Sequence, residues 1–175
     1  KLYDIDVPKC CLYNVISKSD IYKKASVGGI ITKSVFTITA IGSLLEVKGF
    51  DRLIRVAEML KKDGISFCIQ IIGRGEKEAE LKRLVHELNV ENEVHFLGFQ
   101  ANPYPYLKES DIFISTSISE GFSLVICEAL VLGIPIVATN TAGALELLEG
   151  GEYGVITEQN DLSIYVALKK YITDE

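Results

Sequence analysis

Short apolar runs alternate with amphipathic segments along most of this chain. The runs Phe36–Ile41 and Phe67–Ile72 have the length and composition of buried strands, and each ends at a glycine. Further strands are expected at 94–97, 111–115, 135–138 and 154–156. Strands that read as continuous apolar runs are typical of parallel sheets buried on both faces. The pattern predicts an α/β fold, a Rossmann-like doubly wound parallel sheet with helices on both faces.

The segments between the strands carry apolar residues at helical spacing. They predict helices near 50–60, 81–88, 104–109, 145–148 and 162–168, and a further helix after Gly121. In an open parallel sheet, ligands bind beyond the carboxyl ends of the strands. The loops 42–49, 73–75, 98–99, 115–123 and 139–143 each follow a predicted strand. One crevice is therefore expected to collect these loops.

The helix expected after Ser123 is apolar throughout 124–132 except for Glu128. A helix without a polar face is expected to be covered on every side. A carboxylate in such a helix needs a hydrogen-bonding or charged partner, and the sequence identifies none. Ser123 is the predicted N-cap, and Gly121 allows a tight turn before it.

Glu120 and Glu128 are predicted to flank one site at the start of this helix, since helical side chains lean toward the N-terminus. The positive end of the helix attracts phosphate. Carboxylates that accept hydrogen bonds from hydroxyl groups, beside an anion-binding helix end, suit a ligand made of sugar and phosphate. Taken singly, each acid has a simpler alternative as a solvated side chain.

The length, net charge and composition of the chain limit the class of protein to which it can belong. The chain has 175 residues and a net charge of −6. Its length suits one domain that folds without stabilising disulfide bonds or metal ions. The negative charge and the absence of any basic run longer than two residues argue against a nucleic-acid partner. Apolar stretches are interrupted by Gly, Pro or a charge within about ten residues, so no membrane span is predicted.

The cysteines Cys10, Cys11, Cys68 and Cys127 are too scattered for a disulfide framework and favour a reducing cytoplasm. Cys10 and Cys11 lack the spacing of a metal knuckle, and with only two histidines no metal site is predicted. The chain begins at Lys1 with neither an initiator methionine nor a signal-peptide pattern. We therefore expect an excised piece of a longer protein.

Segment 116–139 resembles the donor-binding signature of the retaining glycosyltransferases of family 4, which have the GT-B architecture. The resemblance rests on Ser-Glu-Gly-Phe-Ser-Leu at 119–124, on Glu128 eight positions after Glu120, and on Gly-Ile-Pro-Ile-Val-Ala-Thr at 133–139. It extends from about residue 12 to residue 172. It implies that the chain is the C-terminal, donor-binding half of a GT-B fold.

The resemblance also implies roles for single residues. Glu128 is expected to accept hydrogen bonds from the ribose hydroxyls, and Glu120 from the transferred sugar. Lys48 is expected to contact the donor diphosphate and help it depart, although without the resemblance Lys48 is one of many surface lysines. Arginine usually follows Gly42 in the family, whereas this chain has Ser43, so the second cation is lost or its task passes to Arg74.

Other positions are implied to act mainly through their backbone. Gly98 and Phe99 resemble the loop that meets the nucleotide base, and N–H groups from Phe122 to Leu124 are expected to hold phosphate or sugar oxygens. The predicted catalytic residues are Lys48 and Glu120. The predicted donor-binding residues are Gly42, Ser43, Lys48, Arg74, Gly98, Phe99, Glu120, Gly121, Phe122, Ser123, Leu124 and Glu128.

The implied activity is transfer of a sugar from a nucleotide-diphosphate sugar to a glycan, lipid or other acceptor, as in polysaccharide biosynthesis. No metal or other cofactor is expected, and the enzyme is expected in the cytoplasm, with membrane contact only peripheral. Residues 1–35 are interpreted as an interdomain connection and 36–175 as the donor-binding domain. The alternative for 1–35 is an ordinary extension with one short helix.

The acceptor domain of a GT-B enzyme is absent from this chain, so the chain alone is expected to bind its donor without catalysis. The alternative function is a non-catalytic nucleotide or nucleotide-sugar binding module. A dinucleotide-binding or receiver-like domain is disfavoured. No Gly-x-Gly-x-x-Gly follows the first strand, and no acidic cluster suited to a phospho-aspartate lies at the strand ends.

Overall fold

The computed structural model describes residues 16–27 and 35–173. The helices are α1 Lys18–Ala25, α2 Phe50–Lys62, α3 Glu78–Glu87, α4 Tyr104–Lys108, α5 Leu124–Leu132, α6 Ala142–Leu147 and α7 Asp161–Thr173. The strands are β1 Phe36–Ile41, β2 Phe67–Ile72, β3 Val94–Gly98, β4 Ile112–Ser115, β5 Ile136–Thr139 and β6 Val155–Thr157. Short 3₁₀ turns occupy Glu46–Lys48 and Glu149–Gly151.

The strands form one sheet in the order β3-β2-β1-β4-β5-β6, and every neighbouring pair is parallel. The predicted doubly wound parallel sheet is therefore confirmed. β4 begins one residue later than predicted, because Asp111 uses its side chain as well as its backbone. Its carboxylate accepts a hydrogen bond from the Thr37 N–H at 2.7 Å, and its own N–H donates to the Thr37 carbonyl at 2.9 Å.

The hydrophobic core has a layer on each face of the sheet. On one face, α2, α3 and α7 pack against the strands through side chains such as Leu53, Leu81 and Leu168. On the other face, α4, α5 and α6 do so through Leu107 and Ile126, among others. Apolar burial on both faces explains why the strands read as continuous apolar runs in the sequence.

The expectation that α5 is covered on every side is wrong. Within α5 only Ile126 and Ala129 are fully buried, and Leu124 is 47% exposed. One face of α5 packs on the sheet, and α1 covers part of its outer surface. The Tyr22 hydroxyl of α1 donates a hydrogen bond to the Val131 carbonyl at 2.7 Å. Apolar composition alone did not distinguish a buried helix from one in a single outer layer.

The predicted division of the chain at residue 35 stays a prediction. Helix α1 lies within the segment interpreted as an interdomain connection, and it packs against α4 and α5. Residues 1–15 and 28–34, with Cys10 and Cys11, lie outside the described residues, as do 174–175.

Candidate functional site

A crevice opens at the carboxyl ends of β1 and β4, where the strand order reverses. The loops after these two strands lead to opposite sides of the sheet, which is where ligands bind in open α/β folds. Two adjoining cavities of about 270 and 460 Å³ lie there. We call them the Lys48 cavity, which Lys48 and Glu120 line, and the Glu128 cavity. Their shared lining is Ile41, Gly42, Ser43, Leu124 and Val125.

An ion pair lies in the Lys48 cavity. The Lys48 Nζ donates a hydrogen bond to the Glu120 Oε2, and the Ser117 hydroxyl donates to the same oxygen at 3.3 Å. The two charged side chains are 24% and 17% exposed, so the pair is partly shielded from water. The Lys48 ammonium group and the Glu120 carboxylate therefore both lie beside the cavity, where either can contact a ligand.

The loop carrying Lys48 lies against the loop after β4. Gly49 ends the 3₁₀ turn with φ 61°, and a Cβ there would lie 2.3 Å from the Thr116 carbonyl oxygen. Glycine is therefore required for this close approach. The Thr116 hydroxyl donates a hydrogen bond to the Lys48 carbonyl at 3.0 Å, which fixes the base of the lysine.

Gln159, just after β6, holds the loop that carries Glu120. Its Nε2 donates hydrogen bonds to the carbonyls of Ile118 and Asn140, each at 2.9 Å. Its Oε1 accepts a hydrogen bond from Arg52 at 2.9 Å. One side chain thus ties the loops after β4 and β5 to the start of α2.

The N-terminus of α5 borders both cavities. The Ser123 hydroxyl accepts a hydrogen bond from the Ile126 N–H at 3.4 Å, which confirms the predicted N-cap. A Cβ at Gly143 would lie 3.0 Å from the Phe122 nitrogen and from the Gly121 carbonyl, so α6 begins close against this loop. The positive end of the α5 dipole therefore points toward the crevice.

Glu128 lies in the second cavity and finds its partner on α4. The Tyr104 hydroxyl donates a hydrogen bond to the Glu128 Oε1 at 2.8 Å. Burial raises the pKa of Glu128, and this effect is partly offset by the Tyr104 hydrogen bond and by the charge of Lys24. Burial, together with the neighbouring Glu128 carboxylate, raises the pKa of Tyr104 to about 12. The phenol is therefore a hydrogen-bond donor at neutral pH.

The far wall of the Glu128 cavity contains Arg74 and Phe99. The guanidinium carbon of Arg74 lies 5.0 Å from the centroid of the Phe99 ring, which is consistent with a cation–π contact. The preceding Gly73 has φ 148°, and a Cβ there would lie 1.8 Å from the Gly42 carbonyl oxygen. The turn after β2 therefore packs backbone to backbone against the loop after β1.

Most residues of the predicted donor site are brought together by the fold. The cavities are lined by Gly42, Ser43, Lys48, Arg74, Phe99, Glu120, Phe122, Ser123, Leu124 and Glu128. Gly98 takes part through its carbonyl, which accepts from the Gly73 N–H at 2.9 Å, and Gly121 through its contact with Gly143. The two glutamates line different cavities with a common rim, rather than one undivided site. The roles of these residues stay predictions.

Sequence reasoning missed Tyr104 and Gln159. Tyr104 was predicted only as the start of a short helix, and Gln159 was not singled out. Tyr104 lies 24 residues before Glu128, and Gln159 lies 41 residues after Ile118. No motif or periodicity spans such separations, so only the folded chain reveals these contacts.

Within 16–27 and 35–173, no group of three or more His, Cys, Asp or Glu side chains is arranged to hold a metal ion. Among the helices in the same ranges, none has the length and apolar character needed to cross a membrane.

Sequence comparison places this chain beside known families. The family described as "Glycosyl transferases group 1" matches residues 28–175. A Campylobacter jejuni protein is 37% identical over 172 residues, which are 96% of this chain and 46% of that protein. Its name is N-acetylgalactosamine-N,N'-diacetylbacillosaminyl-diphospho-undecaprenol 4-alpha-N-acetylgalactosaminyltransferase. An uncharacterised glycosyltransferase of Haemophilus influenzae is 38% identical over 127 residues, 72% of this chain and 36% of that protein. The chain spans less than half the length of these curated relatives.

Solved structures match the fold as well. HepE of Anabaena, crystallised with UDP and glucose, superposes with a TM-score of 0.74 at 28% identity, covering 91% of this chain and 44% of HepE. A glycosyltransferase of Rickettsia africae superposes with a TM-score of 0.73 at 21% identity, covering 87% of this chain and 44% of that one, which supports the fold alone. These matches confirm the predicted Rossmann-like fold of the GT-B glycosyltransferases.

Proposed function

The chain belongs to the group 1 glycosyl transferases, and from that premise we propose that it is the nucleotide-sugar-binding half of a retaining glycosyltransferase. The reaction transfers a sugar from a nucleoside diphosphate to a glycan or lipid acceptor with its anomeric configuration kept. One observation carries the proposal. The Lys48–Glu120 ion pair lies beside the N-terminus of α5, in the cavity that adjoins Glu128.

The diphosphate of the donor is proposed to bind between Lys48 and the start of α5. A helix N-terminus attracts phosphate through its N–H groups and its dipole. A diphosphate competes with Glu120 for the Lys48 ammonium group, which is a movable point charge on a flexible stem. As the bond to the sugar breaks, negative charge grows on the diphosphate, and these groups stabilise it without a metal ion.

The two glutamates are proposed to bind hydroxyl groups. Glu120 accepts hydrogen bonds from the transferred sugar in the Lys48 cavity, and its release from Lys48 by the diphosphate frees it for this task. Glu128 accepts a hydrogen bond from the ribose in the Glu128 cavity, near the Phe99 loop proposed to meet the base. This order places diphosphate between sugar and ribose, as the chemistry of a nucleotide sugar requires.

Two comparisons bear on the donor and the linkage. HepE was crystallised with UDP and glucose, which supports a uridine diphosphate sugar as the donor here. The name of the C. jejuni relative specifies an α linkage and an undecaprenol-linked acceptor. An α product from an α-linked nucleotide sugar requires retention, so this name supports a retaining reaction.

Catalysis is proposed to need a further domain that binds the acceptor. The chain spans 46% of the C. jejuni relative, so more than half of that protein has no counterpart in this chain. The chain by itself should then bind the nucleotide weakly and turn over no substrate. We propose a cytoplasmic enzyme whose membrane contact, where its acceptor is a lipid, is peripheral.

Calorimetric titration of the 175-residue chain tests this function. UDP, GDP and ADP and their sugar conjugates are compared between the wild type and the double variant Lys48→Ala/Glu128→Ala. We expect binding that is selective for UDP and is lost in the double variant, with no sugar transfer to undecaprenol-linked or free glycans. Equal binding by the double variant would contradict the proposed site. Selective binding, together with transfer by this chain alone, would contradict the need for a further domain.

A further inference from the structure

Tyr104 provides the hydroxyl partner of Glu128, and nothing in the proposed donor chemistry requires a tyrosine there. We propose that Tyr104 is a positioning residue for nucleotide binding, whose hydroxyl holds the Glu128 carboxylate in place beside the Glu128 cavity. The inference rests on the proposed function, in which Glu128 accepts a hydrogen bond from the ribose.

Tyr104 engages one of the two carboxylate oxygens of Glu128. The Tyr104 hydroxyl binds Oε1 from α4, at 2.8 Å. Glu128 lines the Glu128 cavity together with the loops that carry Gly42, Arg74 and Phe99 and with Pro103, which directly precedes Tyr104. With Oε1 held by the phenol, Oε2 remains for a ligand hydroxyl. A carboxylate with one oxygen tethered loses less rotamer freedom when it binds a ligand.

Tyr104 is itself held in place. It is the first residue of α4, directly after Pro103, whose ring restricts the backbone at the helix start. The ammonium group of Lys24 lies 5.8 Å from the centroid of the Tyr104 ring. The Asn102 side chain donates a hydrogen bond to the Lys24 carbonyl at 2.9 Å, which links α1 to the segment before α4. The phenol therefore has a defined position before a ligand arrives.

The charged and titratable groups that act on Glu128 come from the helices packed against α5. Tyr104 on α4 and Lys24 on α1 favour its ionised form, whereas burial favours its neutral form. β4 and β5 carry no charged side chain, α6 carries Glu146, and Arg74 lines the same cavity as Glu128. Removal of the Tyr104 hydroxyl therefore raises the pKa of Glu128 further. The carboxylate is then lost, as pH falls, at a higher pH than in the wild type.

The variant Tyr104→Phe isolates the hydroxyl group, because the ring and its contact with Lys24 remain. Tyr106→Phe is the matched control, since it makes the same chemical change in the same helix. In the described residues no hydrogen bond of the Tyr106 hydroxyl to Glu128 is present. A role in packing alone predicts equal behaviour of the two variants.

The experiment is a titration of the 175-residue chain with UDP at pH 6, 7 and 8. We expect Tyr104→Phe to bind UDP about tenfold more weakly than the wild type at pH 6, the size expected for a hydrogen bond to a charged group. The deficit should shrink as the pH rises toward 8, because a higher pH favours the ionised form of Glu128 in both proteins. Tyr106→Phe should follow the wild type at each pH.

Glu128→Ala, titrated in parallel, distinguishes failure of the positioning role of Tyr104 from failure of the proposed function. If Glu128→Ala loses UDP affinity while Tyr104→Phe follows Tyr106→Phe at every pH, the positioning role is overturned and the proposed function stands. If Glu128→Ala binds UDP as the wild type does, Glu128 does not contact the nucleotide, and both proposals fall. A pH-dependent deficit confined to Tyr104→Phe, beside a Glu128→Ala deficit at all pH values, supports both.

Discussion

Glu120 and Glu128 lie eight residues apart and line adjoining cavities, yet the fold gives them different surroundings. Glu120 belongs to a loop and pairs with the ammonium group of Lys48. Glu128 belongs to a helix and accepts a hydrogen bond from the neutral phenol of Tyr104, and burial raises its pKa. One carboxylate is balanced by a full charge, and the other only by a hydroxyl group and by the more distant charge of Lys24.

Two carboxylates of one motif can therefore suit two different groups of a ligand. The Lys48 ammonium group can leave Glu120 and bind an anionic ligand instead, so the Lys48 cavity suits a diphosphate. Glu128 lies beside a neutral hydrogen-bond donor, and this arrangement suits the hydroxyl groups of a ligand better than its phosphate groups. Under the proposed function, two identical side chains bind different parts of a nucleotide sugar because their partners differ.

The largest effect is expected from Lys48→Ala, which removes the transferable charge and leaves Glu120 without its cation. UDP affinity should fall by about 10- to 100-fold, since hydrogen bonds to charged groups are worth about 1.5–3 kcal/mol. The double variant Lys48→Ala/Glu120→Ala should recover part of this loss, because the repulsive carboxylate is gone. Calorimetry with UDP measures both, and Lys62→Ala, on the exposed end of α2, is the control. Equal UDP affinities of Lys48→Ala and Lys62→Ala would show that Lys48 does not bind the nucleotide, and would contradict the proposed difference between Glu120 and Glu128.

Separate alanine variants of the two glutamates sharpen the comparison. Glu128→Ala should weaken UDP binding about tenfold, through the lost ribose contact. Glu120→Ala should leave UDP within about twofold of the wild type, because its lost sugar contact is absent from UDP and Lys48 is freed. It should instead reduce the difference in affinity between UDP and UDP-glucose. Titrations of both variants with UDP and UDP-glucose test this prediction. Weaker UDP binding by Glu120→Ala, with Glu128→Ala close to the wild type, would exchange the proposed roles of the two glutamates.

A stability measurement distinguishes the carboxylates without any ligand. The pKa of Glu128 is raised in the folded chain, so its ionisation opposes folding once the pH exceeds that raised value. Glu128→Gln should therefore raise Tm at pH 8 by about 1–3 °C while weakening UDP binding. The gain should vanish as the pH falls below the ordinary pKa of a glutamate, where the wild-type side chain is protonated in both states.

Glu120→Gln is the matched comparison for this melting experiment. It replaces the ion pair with Lys48 by a weaker neutral contact, so no rise in Tm is expected. Thermal melts followed by circular dichroism at pH 4, 6 and 8 provide the comparison. A rise for both variants, or for neither, would show that the surroundings of the two carboxylates do not differ in energy.

The smallest effect is expected from Gln159→Ala, which removes the hydrogen bonds to the Ile118 and Asn140 carbonyls. These bonds are near the surface, so the Glu120 loop should loosen rather than collapse. UDP-glucose affinity should fall by about two- to fourfold, while the pH dependence attributed to Glu128 is unchanged. Glu158→Ala, at the exposed neighbouring position, is the control in the same titration. A changed pH dependence of binding in Gln159→Ala would show that Gln159 acts on Glu128 rather than on Glu120, and would contradict this prediction.

Most of the fold was predictable from local patterns. The bounds of β1 and β2 agree with the predicted runs Phe36–Ile41 and Phe67–Ile72, because central strands covered by helices are mostly apolar and end where the glycines begin a turn. The burial of α5 was predicted wrongly. Its apolar sequence is consistent with several environments, and the position of α1 against it is a long-range feature.

The candidate site was predictable in part. Loops that follow parallel strands meet at one edge by topology, so Lys48, Arg74 and Glu120 could be assigned to one crevice before any contact was known. The Ser123 cap was also a local signal. The division into two cavities could not be predicted, since it depends on how the Gly42 loop and the start of α5 face each other.

The parallel sheet, the position of the crevice and the two carboxylates eight residues apart could all be derived from the sequence. These features depend on neighbouring residues, whose spacing along the chain sets their geometry. The tertiary structure alone decided the partner of each carboxylate, Lys48 for Glu120 and Tyr104 for Glu128. Those contacts join residues 72 and 24 positions apart, and they follow from how loops and helices pack, which no local pattern encodes.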